Sequence, residues 1–96
     1  MATGIKTVGV AGSGTMGAGI AIVAARAGFK TIVYDTREEA LSRARLQTEG
    51  FFSKSVERKK LTQDQVGNIL SGLSGTTDIA ALAACDIVIE AVSEDL

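Results

Sequence analysis

The residues whose types and spacing could do chemistry come early in the chain. Gly12-Ser13-Gly14-Thr15-Met16-Gly17 follows a β-branched apolar run that ends at Ala11, and a small-residue helical pattern starts at once. That is a strand, a Gly-x-Gly-x-x-Gly turn and a helix. In such a turn Gly12 permits the tight exit from the strand, Gly14 lets the backbone approach a pyrophosphate, and Gly17 lets the first helix turn pack against the strand. The amides around Thr15 and Met16 then point out of a helix N-terminus, where the dipole favours an anion.

In a chain with 11 glycines, the hexapeptide alone is also what an ordinary glycine-rich turn looks like. The second strand supplies the context. Lys30-Thr31-Ile32-Val33-Tyr34-Asp35 ends in an acid at the required distance, roughly 20 residues on. A carboxylate there accepts hydrogen bonds from the hydroxyls of an adenosine ribose. The pattern therefore points to dinucleotide binding by Gly12, Ser13, Gly14, Thr15, Met16, Gly17 and Asp35. Arg37 is the nearby cation that could accommodate a 2′-phosphate. Asp35 lies closer to the 2′ position, so the expectation is NAD over NADP.

The elements that must hold these residues read as alternating strands and helices. Ile5 to Ala11 is apolar at nearly every position, as suits a parallel strand buried on both faces. Met16, Ile20, Val23, Ala24 and Ala27 recur at helical spacing and read as the core stripe of the first helix. Ala18, Ala21 and Ala25 keep its other faces small, and Gly28 stops it. The second strand runs from about Lys30 to Asp35. Thr36-Arg37-Glu38-Glu39 has the form of a capping box and predicts a long helix to about Lys59, with Leu41, Ala44, Thr48, Phe51, Phe52 and Val56 inward. Gly50 is a place for a bend, at about 1 kcal/mol relative to Ala. Residues 37–60 carry seven basic and four acidic side chains, which reads as a solvated face, with a surface for an anionic partner as the alternative.

Thr62-Gln63-Asp64-Gln65 is a second capping box and opens a short helix ended by Ser71-Gly72. Leu73 to Thr76 reads as a third strand, Asp78 caps a brief helix over Ile79 to Ala84, and Asp86 to Val92 reads as a fourth strand. The order is that of an α/β parallel sheet with right-handed crossovers. In the doubly wound, Rossmann-type arrangement the four strands lie 3-2-1-4, an incomplete sheet with a helical pair between strands 2 and 3.

Composition narrows the function classes. Ninety-six residues make one small domain, and the net charge of −1 carries no signal for nucleic acid or an anionic membrane. The single cysteine, Cys85, rules out an internal disulfide framework and reads as a small buried residue. The chain has no histidine, so a nucleophile with its usual base is missing, and no metal site is read. No apolar run approaches the ~18 residues of a membrane span. Met1 to Lys6 leads directly into the first strand and leaves no room for a signal peptide. The expected compartment is cytoplasmic, or an organellar matrix if a transit segment has been removed.

With Gly12 to Gly19, Asp35 and the ending Ile89-Glu90-Ala91-Val92-Ser93-Glu94-Asp95-Leu96 in view, the sequence resembles the NAD-binding domain of 3-hydroxyacyl-CoA dehydrogenases. The resemblance covers essentially the whole chain. It includes the run Gly14 to Ala21, the helical pair around Leu61-Thr62, and Asp86 to Val92. It implies that the glycine loop holds the NAD pyrophosphate, that Asp35 holds the adenosine ribose, and that Glu94 lies near the nicotinamide ribose. Glu90, inside a strand, is either buried and paired or orders the loop, and is left out of the site. Ser93 stands where many relatives carry proline.

The resemblance also implies what lies elsewhere. The family's base is a histidine supported by a glutamate, with serine and asparagine near the substrate carbonyl, and all of these come after the positions matched here. No catalytic residue is therefore assigned, and the chain alone is expected to be inactive. The acyl-CoA substrate would be held through a helical domain, and the whole enzyme would be a homo-oligomer. An apolar edge at Ile87-Val88-Ile89, which proteins usually cover, likewise suggests a piece of a longer enzyme, or the only ordered or retained piece of one; the resemblance implies that this is the N-terminal part of an oxidoreductase of fatty-acid β-oxidation. Two other readings remain at this stage: a stand-alone nucleotide-binding module without catalysis, and another Rossmann hydroxyacid dehydrogenase.

Overall fold

Val8, Gly9 and Val10 alternate across the first strand, and that alternation decides what each face of the sheet receives. Val8 and Val10 join Ala21, Ala24, Val33 and Ala91 in one buried cluster under the first helix. Gly9 points the other way. A β-carbon there would lie 2.9 Å from both Cys85 Sγ and Leu82 Cδ2, so a side chain would have to push aside the segment that crosses that face.

The computed structural model describes residues 4–91. It contains β1 (Thr7–Ala11), α1 (Thr15–Arg26), β2 (Lys30–Tyr34), α2 (Glu38–Glu57), α3 (Gln63–Ser71), β3 (Leu73–Thr76), a 3₁₀ helix (Ile79–Ala84) and β4 (Ile87–Glu90). The strands form one sheet in the order β3-β2-β1-β4. All pairings are parallel, with Val10 opposite Val33 on one side and Ile89 on the other. This is the expected doubly wound order, with β1 and β4 shorter than the apolar runs suggested.

Three expectations about packing are corrected. Met16 and Val23 are 68% and 69% exposed, and Ala27 is exposed as well. The buried side of α1 is Gly17, Ala18, Ala21, Ile22, Ala24 and Ala25. The small residues form the contact face because the helix lies close to the sheet, while Met16 and Val23 look onto a face that no described element covers. Phe51 is exposed; its neighbour Phe52 is fully buried with Ile22 and Val66 between the three helices. Cys85 is half-buried rather than buried. Burial and the charge of Asp86 push its thiol up, so it stays protonated.

The two capping boxes also part company. Thr62 accepts from the Gln65 amide at 3.1 Å while Gln65 Oε1 accepts from the Thr62 amide at 2.9 Å, which completes the box at α3. At α2 the N-cap is Arg37, with no side-chain cap. The helix begins one residue later than the box requires, and the Arg37 amide donates to Asp35 Oδ1 at 3.1 Å. The helix passes Gly50 unbroken. Asp78 caps the 3₁₀ helix as expected, accepting from Ala80 N at 3.0 Å.

Asp86 does work that its position at the start of a strand did not announce. Its Oδ2 accepts from the amides of Lys6 and Thr7 at 2.7 and 2.9 Å, fastening the lead-in to β1 against β4. These bonds lower its carboxyl below the ordinary value.

Candidate functional site

The carboxyl ends of β1, β2 and β4 meet at one place. The Gly12 amide donates to Tyr34 O at 2.8 Å, and the Ala91 amide donates to Ala11 O at 2.8 Å. The exit of the central strand is thereby fixed between its two neighbours. Gly12 has φ of +113°, a conformation that side chains rarely adopt, and this turns the chain out of the sheet.

From there α1 starts without delay. Gly14 is its N-cap, and the first helical bond runs from Ala18 N to Gly14 O at 2.8 Å. The amides of Thr15, Met16 and Gly17 precede that ladder and have no acceptor within the helix. Gly17 sits so close to the turn that a β-carbon would lie 1.8 Å from Gly12 O. Nothing lies within 4 Å of the β-carbon position at Gly14. The third glycine is thus required by the fold, while the second faces open space.

Asp35 follows β2 directly beside this turn. Its Oδ2 accepts from Ser13 N at 3.0 Å and from Ser13 Oγ at 2.7 Å, and its Oδ1 accepts from Arg37 N. Partial burial acts to raise the carboxyl, but the hydroxyl and amide of Ser13, with the amides of Arg37 and Thr36, outweigh it and hold Asp35 below the ordinary carboxylate value. It is an ionised acceptor at any physiological pH. The Arg37 side chain is exposed, with Nε 3.4 Å from Glu39 Oε1.

Of the residues singled out in the sequence, Gly12, Ser13, Gly14, Thr15, Met16, Gly17 and Asp35 come together here, with Arg37 at the rim. Glu94 lies outside the described residues. Glu90 ends β4 and is exposed, so it is not buried in the strand. The bond between Ser13 and Asp35 escaped sequence reasoning; a serine inside the glycine turn was the only signal for it. Two hollows among the described residues lie away from Asp35. One of about 350 Å³ sits between α2, α3 and β3, and one of about 540 Å³ is an apolar recess beside α1 and β4. Among the described residues no helix is long and apolar enough to cross a membrane, and no cluster of His, Cys, Asp or Glu could hold a metal ion.

Residues 7–96 match the family of the 3-hydroxyacyl-CoA dehydrogenase NAD-binding domain. The chain belongs to this family. It is 49% identical over 96 residues to 3-hydroxyadipyl-CoA dehydrogenase of Escherichia coli K12, covering 100% of this chain and 20% of that protein. Among solved structures, 3-hydroxybutyryl-CoA dehydrogenase from Escherichia coli K12 superposes with a TM-score of 0.90 at 49% identity, over 95% of this chain and 19% of that one. (S)-3-hydroxybutyryl-CoA dehydrogenase from Ralstonia eutropha superposes with a TM-score of 0.91 at 34% identity, over 96% and 32%. The chain therefore spans a fifth to a third of the length of these relatives.

NAD is the cofactor of this domain family, and the residues present fit it. Open space at Gly14 admits a close backbone approach. Three amides at the start of α1 supply donors for a pyrophosphate. An ionised carboxylate at the end of β2 supplies an acceptor for a ribose.

Proposed function

We propose that this chain is the NAD site of an enzyme that interconverts 3-hydroxyacyl-CoA and 3-ketoacyl-CoA in fatty-acid oxidation. In this reading it forms the N-terminal part of the dinucleotide-binding domain. The observation that carries it is the juxtaposition of Asp35 with a glycine turn whose Gly14 faces open space. When bound, NAD accepts the hydride from the substrate carbon that bears the hydroxyl.

The chain's own residues bind and orient. The amides of Thr15, Met16 and Gly17 and the dipole of α1 take the pyrophosphate charge. Asp35 accepts from the adenosine ribose, and Arg37 borders that position. Glu94 contacts the cofactor toward its nicotinamide end. The chain has no histidine, so the base that removes the hydroxyl proton is supplied from outside these residues. A separate domain holds the acyl-CoA, the assembled enzyme is a homo-oligomer, and it works in the cytoplasm.

Titration of the purified chain with NADH, followed by an assay with acetoacetyl-CoA, tests this division of labour. The expected result is saturable NADH binding with no turnover. Robust turnover would overturn the placement of catalysis outside these residues, and absent binding would overturn the NAD site.

A further inference from the structure

Ser13 occupies a position where a cofactor contact is the obvious expectation, yet it is only 4% exposed. Its amide and its hydroxyl both go to one oxygen of Asp35, a residue 22 positions away. A buried hydroxyl needs a partner, but an acceptor on the backbone would satisfy it equally well. Here the partner is the carboxylate proposed to receive the ribose. With two bonds from Ser13, Oδ2 has used its lone pairs. Oδ1, which takes the Arg37 amide, is the oxygen with capacity left for a ligand.

We infer that Ser13 is a positioning residue for cofactor selection: it fixes the carboxylate of Asp35 so that Oδ1 is presented to the adenosine ribose hydroxyls of NAD. This rests on the reading of Asp35 as the ribose acceptor. The consequence is specific. A residue that only shapes the glycine turn would affect NADH and NADPH alike, because both carry the same pyrophosphate. A residue that acts through Asp35 affects the difference between them. Removing the hydroxyl leaves the carboxylate on the backbone amides of Ser13, Arg37 and Thr36 alone, with the vacated position on Oδ2 open to water. The hydroxyl of the ribose then meets a less ordered acceptor, and a 2′-phosphate meets a charge that can turn away.

The test is a double-mutant cycle with Ser13→Ala and Asp35→Ala, titrating NADH and NADPH by calorimetry and checking each fold by circular dichroism. Ser13→Ala should weaken NADH by about three- to tenfold, the worth of one hydrogen bond, and leave NADPH unchanged or tighter. In the Asp35→Ala background the same substitution should change neither cofactor. Ser13→Gly replaces Ser13→Ala if the latter does not fold, with the same expectations. Equal weakening of both cofactors, no change in NADH affinity, or an undiminished effect without Asp35 would each overturn the inference. Unchanged NADH binding by Asp35→Ala alone would instead sink the ribose reading, and the inference with it.

Discussion

A β-carbon on Gly17 would lie 1.8 Å from the carbonyl oxygen of Gly12, whereas one on Gly14 would touch nothing within 4 Å. Two glycines three residues apart thus serve different masters. Gly17→Ala forces backbone apart and should destabilise the fold by about 3 kcal/mol or more. Gly14→Val should melt near the wild type and lose NADH binding, because in the proposed site its side chain would project where the pyrophosphate approaches. Thermal melts and NADH titrations of both variants check this. A correctly folded Gly14→Val with unchanged NADH affinity would show that the loop is only a turn.

The two threonines at helix starts separate sequence form from structural use. Thr62→Ala removes the hydroxyl that accepts from the Gln65 amide, one of the two reciprocal bonds of its capping box, and should cost about 1 kcal/mol. For a domain of this size that lowers Tm by about 4–8 °C. Thr36→Ala removes no cap and should stay within about 0.5 kcal/mol of wild type. Reversal of that order in chemical denaturation would contradict the assignment of Arg37 as the N-cap.

Acid should weaken the fold through two carboxylates. Asp35 and Asp86 both have carboxyls lowered below the ordinary 3.8. The unfolded chain therefore binds protons at a higher pH than the folded one, and folding is favoured most above that value. This contribution is fully present above pH about 4 and is lost as pH falls through the lowered values. Asp86→Asn should lower Tm at neutral pH and flatten the decline below pH about 4, because one of the two lowered carboxyls is gone. Tm measured against pH for both proteins decides it; superimposable acid limbs would contradict the role given to the Lys6 and Thr7 amides.

What the sequence made legible was local. The glycine turn, the acid after β2 and the caps at Thr62 and Asp78 follow from residue types at short spacing; the strand order came from the doubly wound arrangement that the glycine motif implies. What stayed hidden was long-range. The Asp86 bonds to Lys6 and Thr7 span 80 and 79 positions, and no pattern within a window contains them. The second helix takes Arg37 rather than Thr36 as its N-cap, a one-residue shift that capping-box form cannot decide. Periodicity gave the apolar positions of α1 but not which of them face the sheet. That depends on how closely the helix approaches, and Gly17 with its alanines sets the distance.

In the proposed site Asp35 receives the adenosine ribose of NAD. A 2′-phosphate would set its negative charge against a carboxylate that is ionised at neutral pH, and would remove the donor that the carboxylate accepts. The exposed Arg37 side chain, beside Glu39, offers that phosphate weaker compensation. Calorimetric titration of NADH and NADPH into the wild type and Asp35→Ser tests the claim most directly. The wild type should prefer NADH by about tenfold or more, corresponding to at least about 1.4 kcal/mol, and Asp35→Ser should shrink that preference mainly by weakening NADH. Equal or tighter binding of NADPH by the wild type would contradict it.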